Sequence, residues 1–177
     1  ARYFEQYFGK YPHIIRRNRT SVATLTGNES KQDLEKLADD VHHYFGLGCR
    51  NVTKIYVPKG YDFVPLLEAF KKYNWLAEQS KYKNNYDYRL AVLILNKDYY
   101  MSNDSILLQE KEDVFSPISQ LNYEFYEDLN SLNRRLEGQE NIQCVVGKER
   151  LSFGEGQKPG LTDFADGVDT LKFLLNL

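Results

Sequence analysis

The spacing of apolar residues along the chain switches between a helical period and short apolar or β-branched runs. Residues 31–45 carry apolar side chains at helical spacing, with acidic residues on the opposite face. Ser30 or Asn28 is placed to cap the start of that helix. The same period predicts helices over residues 63–77 and 126–136, and an amphipathic segment over 164–175. Short runs predict strands over residues 21–26, 53–57, 88–95, 118–125 and 141–146.

The order of these elements predicts the fold class. Strands interleaved with helices favour a three-layer α/β/α domain with a mainly parallel sheet. The run 88–95 is continuously apolar at its centre, which is typical of a strand covered on both faces. Residues 110–116 and 148–160 are rich in polar residues or glycine and are expected to be loops. At 177 residues, the chain is expected to form one domain over residues 1–177.

Composition and charge exclude several classes of function. The formal net charge is −2 and the basic residues are scattered, so no nucleic-acid footprint is expected. No apolar stretch reaches the roughly 18 residues that would suggest a membrane span. The two cysteines do not form a disulfide framework, which favours a reducing, cytoplasmic location, and no metal site is predicted. The chain starts at Ala1 without an initiator Met or a signal segment, like the cut edge of a longer protein.

The two cysteines have different sequence surroundings. Cys49 follows Gly46 and Gly48 at a junction between a predicted helix and a predicted strand, where little side-chain bulk would shield its sulfur. We therefore predict that Cys49 is a nucleophile, although a small residue filling a tight junction would have the same surroundings. Cys144 lies inside the apolar run 142–146 and is expected to be a small buried hydrophobe.

Other candidate groups have simpler explanations. His42 and His43 precede Cys49 by six and seven residues, about 10 Å along a helix axis, so both are expected to be surface or partly buried helix residues. The basic run 16–19 has the charge to bind phosphates of CoA or NADP, but such short runs are usually solvated. The glycines at 154–157 lack the strand–turn–helix context of a phosphate loop.

Two motifs resemble a known enzyme superfamily. Residues 21–58 resemble the segment of the aldehyde dehydrogenases that carries the nucleophile, with Gly48-Cys49 in its place. Residues 112–117, Glu-Asp-Val-Phe-Ser-Pro, resemble the Glu-Glu-Ile-Phe-Gly-Pro motif of that superfamily. Within it, residues 44–52 and 160–171 most resemble the fatty acyl-CoA reductases of the bacterial luminescence type, and the likeness covers roughly residues 13–177.

The resemblance implies roles for particular residues. Cys49 would be the catalytic nucleophile, and its backbone N–H would donate one hydrogen bond to the oxyanion. Asp113 and Phe115 would contact the nicotinamide ribose of NADPH, although Asp113 is one methylene shorter than the usual glutamate, and Glu112 would be catalytic by its position or merely solvated. Residues 13–17 stand where oxidising members carry a water-activating glutamate, and they contain no carboxylate. An acyl-enzyme that exchanges with CoA rather than with water is therefore expected.

The function that follows is a catalytic domain of an NADPH-dependent acyl-CoA reductase, which makes fatty aldehyde through a cysteine thioester. No Gly-rich dinucleotide motif is visible, so the N-terminal cofactor domain of the superfamily is expected to lie outside this chain, and the isolated chain is expected to be inactive in turnover. Expected partners are an acyl-CoA or an acyl donor protein, in a homo-oligomer or an acyl-transfer complex. Two alternatives stay open: a CoA-acylating aldehyde dehydrogenase for short aldehydes, and a non-catalytic assembly domain of the same fold.

Overall fold

The computed structural model describes residues 2–16 and 18–177 and contains a six-stranded sheet. The strand order is β3-β4-β5-β2-β1-β6, and every neighbouring pair is parallel except β3 and β4 at one edge. The strands are β1 (Thr20–Thr24), β2 (Val52–Pro58), β3 (Met101–Ser102), β4 (Leu107–Glu110), β5 (Gln120–Tyr126) and β6 (Ile142–Val146). The protein is therefore an α/β protein with a mostly parallel sheet.

Six α-helices accompany the sheet in the described ranges: α1 (Arg2–Phe8), α2 (Lys31–His42), α3 (Val64–Phe70), α4 (Ser80–Asn96), α5 (Leu129–Leu136) and α6 (Thr170–Leu175). Short 3-10 helices cover His43–Gly46, Lys71–Glu78 and Ala165–Gly167. Ser30 caps α2 through a reciprocal pair of hydrogen bonds with Asp33, as one of the two predicted caps. None of the described helices is both long and apolar enough to cross a membrane.

Alternate residues of the central strands face two separate apolar layers. Ile55 and Val57 of β2 pack in the larger core with α2 and α3, whereas Tyr56 between them packs with Leu132 of α5. In β4, Leu108 joins the larger core, and Leu107 contacts α4. This period of two is what a sheet buried on both faces requires. Helices thus cover both faces, an arrangement compatible with a three-layer α/β/α fold.

The prediction of a strand over residues 88–95 is wrong, because this segment belongs to the 17-residue helix α4. Tyr82, Tyr86 and Leu93 of α4 are buried, at the spacing of one helical face. The apolar run that suggested a strand instead leaves Ile94 and Leu95 exposed. Tyrosines supply part of the buried face, so a pattern read from aliphatic residues alone missed the helical period.

The predicted helix over 31–45 ends earlier than expected, at His42. Tyr44 and Phe45 have φ values of 55° and 59°, and Gly46 follows at 73°. Consecutive left-handed residues cannot continue a right-handed helix and are costly for side chains other than glycine. The predicted helix over 63–77 divides into α3 and a 3-10 helix, and the strands over 21–26, 53–57, 118–125 and 141–146 are confirmed within two residues at their ends.

Candidate active site around Cys49

Cys49 lies in a turn over residues 48–51, directly before β2 at the amino end of the parallel strands. Asn51, which is fully buried, organises this turn. Its Oδ1 accepts a hydrogen bond from the Gly48 N–H at 2.7 Å, and its backbone N–H donates to the Gly48 carbonyl at 3.0 Å. A Cβ at Gly48 would lie 3.0 Å from Asn51 Oδ1, so glycine gives the turn the room it needs.

Asn51 also ends helix α2. Its Nδ2 donates to the carbonyl oxygens of Asp40, Val41 and His43 at 3.1, 3.2 and 2.9 Å. The carbonyls of Asp40 and Val41 belong to the last turn of α2, where no further helical N–H groups exist to satisfy them, and that of His43 belongs to the residue that follows the helix. One side chain therefore terminates the helix and fixes the turn that carries Cys49.

The Cys49 side chain is exposed, as its glycine-flanked position predicts. Its carbonyl oxygen accepts a hydrogen bond from Ser21 Oγ of β1 at 3.1 Å, which ties the turn to the neighbouring strand. Across residues 2–16 and 18–177, the Cys49 backbone N–H has no hydrogen-bond acceptor. An accessible sulfur thus sits beside a free backbone donor on a fixed turn, which is the arrangement that nucleophilic attack on a carbonyl needs.

Cys144 is half-buried rather than fully buried, and it is close to the candidate site. Its sulfur lies 3.0 Å from Ser21 Oγ, the same oxygen that binds the Cys49 carbonyl. Burial raises the pKa of the Cys144 thiol, and the negative charge of a Cys49 thiolate raises it further, whereas Ser21 and Arg50 act in the opposite direction. Cys144 is therefore less buried than expected, and the pairing of β6 with β1 brings it beside Ser21.

The second predicted motif, residues 112–117, lies along β2 and β5. Polar side chains of these strands hold its backbone: the half-buried Thr53 donates through Oγ1 to the Val114 carbonyl at 2.6 Å, and the buried Asn122 donates through Nδ2 to the carbonyls of Asp113 and Phe115 at 2.9 and 3.1 Å. The side chains of Asp113 and Phe115 are exposed. The loop therefore presents both predicted contact residues outward from a backbone that is bound to the sheet.

The turn and the loop are joined by a short hydrogen-bond chain. Thr20 Oγ1 lies 2.6 Å from Thr53 Oγ1 and 3.3 Å from the Asn51 carbonyl. Thr53 in turn donates to Val114. The hydroxyl groups of Thr20 and Thr53, on adjacent strands, thus link the turn that carries Cys49 to the 112–117 loop at the amino end of the sheet. The two predicted parts of the site are therefore held in a fixed relation to each other.

The ion pair of Lys54 and Glu124 also holds the 112–117 loop. The Nζ of Lys54, which is fully buried, donates to the Glu112 carbonyl at 2.6 Å and to Glu124 at 2.5 Å. Arg135 of α5 binds the other oxygen of Glu124 at 2.6 Å. Burial raises the pKa of Glu124, but the hydrogen bonds and charges of Lys54 and Arg135 outweigh it and hold this pKa below its ordinary value. The carboxylate is therefore the charged group that makes a buried Lys54 tolerable.

An apolar groove of about 510 Å³ lies beside Leu47, which precedes Cys49 by two residues in the chain. It is lined by Phe45, Leu47, Gln79, Ser80, Lys81, Tyr82, Asn85 and Ile118. Phe45, Tyr82 and Ile118 also line a narrow cavity of about 20 Å³ that reaches His42. The groove has a volume within the range of small-molecule sites.

His42 is buried, contrary to the expectation for both histidines, and its ring stacks on Tyr73 with centroids 4.6 Å apart. Nδ1 lies 2.8 Å from the Ala38 carbonyl, which places the ring proton on Nδ1, and within the described part of the chain Nε2 has no hydrogen-bond partner. Burial lowers the pKa of His42 to about 4. His43 is exposed.

Two of the three arginines in the predicted basic run are paired with the same carboxylate. Arg16 and Arg19 pair with Asp166 at 3.3 and 3.8 Å, and Arg19 also donates to the Ile142 carbonyl. Arg17 lies outside the described residues. These contacts fasten the segment before β1 to the region before α6, so the two described arginines have structural partners rather than a free phosphate site.

The glycines at 154–157 bind an internal carboxylate. The N–H groups of Gly154 and Gly156 donate to the two oxygens of the buried Asp40, at 2.6 and 2.9 Å. Burial raises the pKa of Asp40, although these two hydrogen bonds counteract the effect. A Cβ at Gly156 would lie 2.8 Å from Asp40, so this position requires glycine. The loop thus packs against α2 near the candidate site.

Sequence reasoning found Cys49, Asp113 and Phe115 but missed the side chains that position them: Ser21, Asn51, Thr53, Lys54 and Asn122. A weak signal existed, since each is a polar residue inside or beside an apolar strand. Among the described residues, no group of three or more His, Cys, Asp or Glu side chains is placed to hold a metal ion. A scan against protein-family models finds no match, and a search of curated proteins also finds none.

Proposed function

We propose that this chain is the catalytic domain of an NADPH-dependent acyl-CoA reductase that makes fatty aldehyde from long-chain acyl-CoA. The observation that carries the proposal is the exposed Cys49 thiol on a fixed turn, beside a backbone N–H that has no acceptor within residues 2–16 and 18–177. The resemblance of residues 44–52 and 160–171 to the acyl-CoA reductases supplies the substrate class.

In this proposal, the Cys49 thiolate attacks the carbonyl carbon of the acyl-CoA thioester. The Cys49 N–H donates a hydrogen bond to the developing oxyanion, and the CoA thiolate leaves with its electron pair and takes up a proton. The acyl group is then bound to Sγ as a thioester. Asn51 and Ser21 contribute by fixing the backbone on both sides of the sulfur, because a small displacement of the nucleophile lowers the rate strongly.

The apolar groove supports a long acyl chain rather than a short one. Cys49 does not itself line the groove, but Leu47, two residues before it, does, and the proposal lays an acyl chain on Sγ along the apolar lining of Phe45, Leu47 and Ile118. Its volume of about 510 Å³ exceeds what a two-carbon or three-carbon acyl group would fill. Burial of each methylene contributes about 0.8 kcal/mol, which gives the enzyme a reason to prefer long chains.

The residues of the 112–117 loop fit the nicotinamide end of NADPH. Asp113 offers an exposed carboxylate for ribose hydroxyl groups, and Phe115 offers an exposed aromatic ring, while Asn122 holds the backbone of both. When bound, NADPH supplies the hydride that reduces the thioester to the aldehyde oxidation level. The part of this chain in that step is to orient the acyl group on Cys49 and to release the aldehyde from the sulfur.

Intact mass after incubation with palmitoyl-CoA tests the nucleophile. The wild-type chain and the matched control Cys144→Ala are expected to gain one palmitoyl group each, and Cys49→Ala none. An adduct that persists in Cys49→Ala, or a wild-type chain that stays unmodified, would contradict the proposal and favour a non-catalytic assembly domain.

A chain-length series tests the substrate class against the alternative of a short-aldehyde dehydrogenase. We expect palmitoyl-CoA to acylate Cys49 at least about tenfold faster than acetyl-CoA, because the groove stabilises the longer chain. Equal rates, or a preference for acetyl-CoA, would instead favour the CoA-acylating enzyme for short aldehydes. Leu47→Asp places a charge in the groove and is expected to remove the preference while leaving acetylation unchanged.

A further inference from the structure

The only two cysteines of the chain lie on either side of one serine. Ser21 Oγ contacts Cys144 Sγ at 3.0 Å and the Cys49 carbonyl oxygen at 3.1 Å. The Cys144 sulfur is therefore within about 6 Å of the Cys49 carbonyl oxygen. Disulfides join residues whose Cα atoms are roughly 4.4–6.8 Å apart, so whatever separation remains between the two residues must be closed by a shift of the Cys49 turn toward β6.

The two cysteines differ in how their side chains are surrounded. Cys144 belongs to β6 and is half-buried. Cys49 lies in the turn after Gly48, and its side chain is exposed. The two sulfurs share Ser21 as a neighbour, through its contact with Cys144 Sγ and its hydrogen bond to the Cys49 carbonyl.

We propose that Cys49 and Cys144 form a reversible disulfide when the protein meets a hydroperoxide, with Cys49 oxidised first and Cys144 as the resolving thiol. The Cys49 thiolate attacks the peroxide, its sulfur is oxidised to sulfenic acid, and hydroxide leaves. The Cys144 sulfur then attacks the sulfenic sulfur, the S–S bond forms, and the displaced hydroxide takes the thiol proton to give water. Two thiols and one peroxide thus yield one disulfide and two waters.

The order of the two steps follows from the surroundings of each sulfur. Cys49 is exposed and meets peroxide directly, whereas Cys144 is half-buried and its raised pKa keeps it a thiol. The Ser21 hydroxyl donates to the Cys49 carbonyl, so its lone pair is free to accept the Cys144 S–H. Disulfide formation would protect Cys49 from irreversible oxidation to sulfinic acid.

Peptide mapping without reduction tests the proposal. The chain is treated with hydrogen peroxide, remaining thiols are blocked with N-ethylmaleimide, and the digest is analysed by mass spectrometry. The expected product is one linked pair of peptides that contain Cys49 and Cys144 and that separate after dithiothreitol. Cys49 found as sulfinic acid with Cys144 blocked by maleimide would overturn the proposal, and so would links only between Cys49 residues of two chains.

Two variants complete the test. Cys144→Ser keeps the size of the side chain and the contact with Ser21. In this variant, the same peroxide treatment is expected to oxidise Cys49 to sulfinic acid. Cys49→Ser is expected to leave Cys144 unoxidised, and circular dichroism of both variants checks that the fold is intact. A Cys49→Ser variant whose Cys144 oxidises at the wild-type rate would contradict the assigned order.

Only the consequence for activity rests on the proposed function. Peroxide is expected to block palmitoylation of the wild-type chain, and dithiothreitol is expected to restore it. In Cys144→Ser, peroxide is expected to block palmitoylation and dithiothreitol is not expected to restore it. A disulfide that forms in a chain never acylated by palmitoyl-CoA would refute the proposed function and leave this inference standing. If the untreated wild type is acylated by palmitoyl-CoA but peroxide converts Cys49 to sulfinic acid instead of a disulfide, this inference is refuted and the proposed function stands.

Discussion

The turn at 48–51 and the loop at 112–116 present exposed side chains in the same way but are held by different forces. In both, buried polar groups of the sheet or of the turn itself bind backbone atoms. The turn is held by an amide and hydroxyl groups, from Asn51, Ser21 and Thr20. The loop is held by hydroxyl and amide groups and also by the charged Lys54, which depends on Glu124.

The difference predicts how each region responds to change. Neutral hydrogen bonds contribute about 1 kcal/mol each and are insensitive to salt or mild acid. A buried ammonium group is stable only while its carboxylate is ionised and in place. The two regions therefore have similar anchors, but only the loop depends on an ion pair. If the charge of Glu124 is removed, the charge of Lys54 is left buried without a partner. The following variants test this distinction.

Glu124→Gln should have the largest effect on stability. It leaves the fully buried Lys54 without an anionic partner, and we expect the free energy of unfolding to fall by about 3 kcal/mol. Urea unfolding at pH 7 measures the change. The double variant Lys54→Met with Glu124→Gln removes the charge as well and is expected to recover part of the loss, whereas purely additive losses would show that the ion pair does not matter.

Asn51→Ala and Asn122→Ala form a matched pair that separates the turn from the loop. Each removes a buried amide with at least two backbone partners, and each should cost about 2 kcal/mol of unfolding free energy. Palmitoylation of Cys49 should fall about tenfold or more in Asn51→Ala, because the nucleophile is displaced. In Asn122→Ala it should stay within about twofold, and an equal fall in both would break the comparison.

His42 gives the turn region its own pH dependence. Its folded-state pKa of about 4 lies below the ordinary value of 6.5, so the unfolded chain binds the extra proton first as the pH falls. The protein should therefore lose about 2 kcal/mol of stability between pH 7.5 and pH 5, from this residue alone. Glu124 has a lowered pKa as well, so its contribution is lost only at pH values below its ordinary 4.5.

The variant His42→Phe checks this assignment, since phenylalanine keeps an aromatic ring against Tyr73 but cannot take up a proton. Its unfolding free energy should change less between pH 7.5 and pH 5 than that of the wild type, by about 2 kcal/mol. Urea titrations at the two pH values are sufficient. An unchanged slope with pH would assign the dependence to groups other than His42; Asp40 is not one of them, because its raised pKa makes acidification stabilise the fold.

Lys59→Ala sets the lower end of the scale. Lys59 and Glu127 form an ion pair at 2.5 Å, as short as that of Lys54 and Glu124, but their side chains are 70% and 79% exposed. Exposed pairs contribute little because water and salt screen them, so the variant should leave the unfolding free energy unchanged within the error of a urea titration. A loss comparable to that of Glu124→Gln would show that distance, rather than burial, decides the strength of these pairs.

Much of the fold was predictable because local patterns agree with it. β-branched runs predicted β1 and β2, and the capping residue Ser30 marked the start of α2. The prediction failed at α4, where tyrosines form part of the buried face, and at the end of α2, where a side chain nine residues beyond the helix intervenes. In both places the deciding contact is not visible in the spacing of aliphatic residues.

The sequence by itself determined the alternation of strands and helices and placed Cys49 on a glycine-flanked junction, because backbone preferences act over a few residues. Tertiary structure alone decided that Asn51 ends α2, that Asn122 and Thr53 hold the 112–116 loop, and that Cys144 meets Ser21. The contacts of Thr53 with Val114 and of Cys144 with Ser21 join residues 61 and 123 positions apart in the chain, and they form because β2 pairs with β5 and β1 pairs with β6.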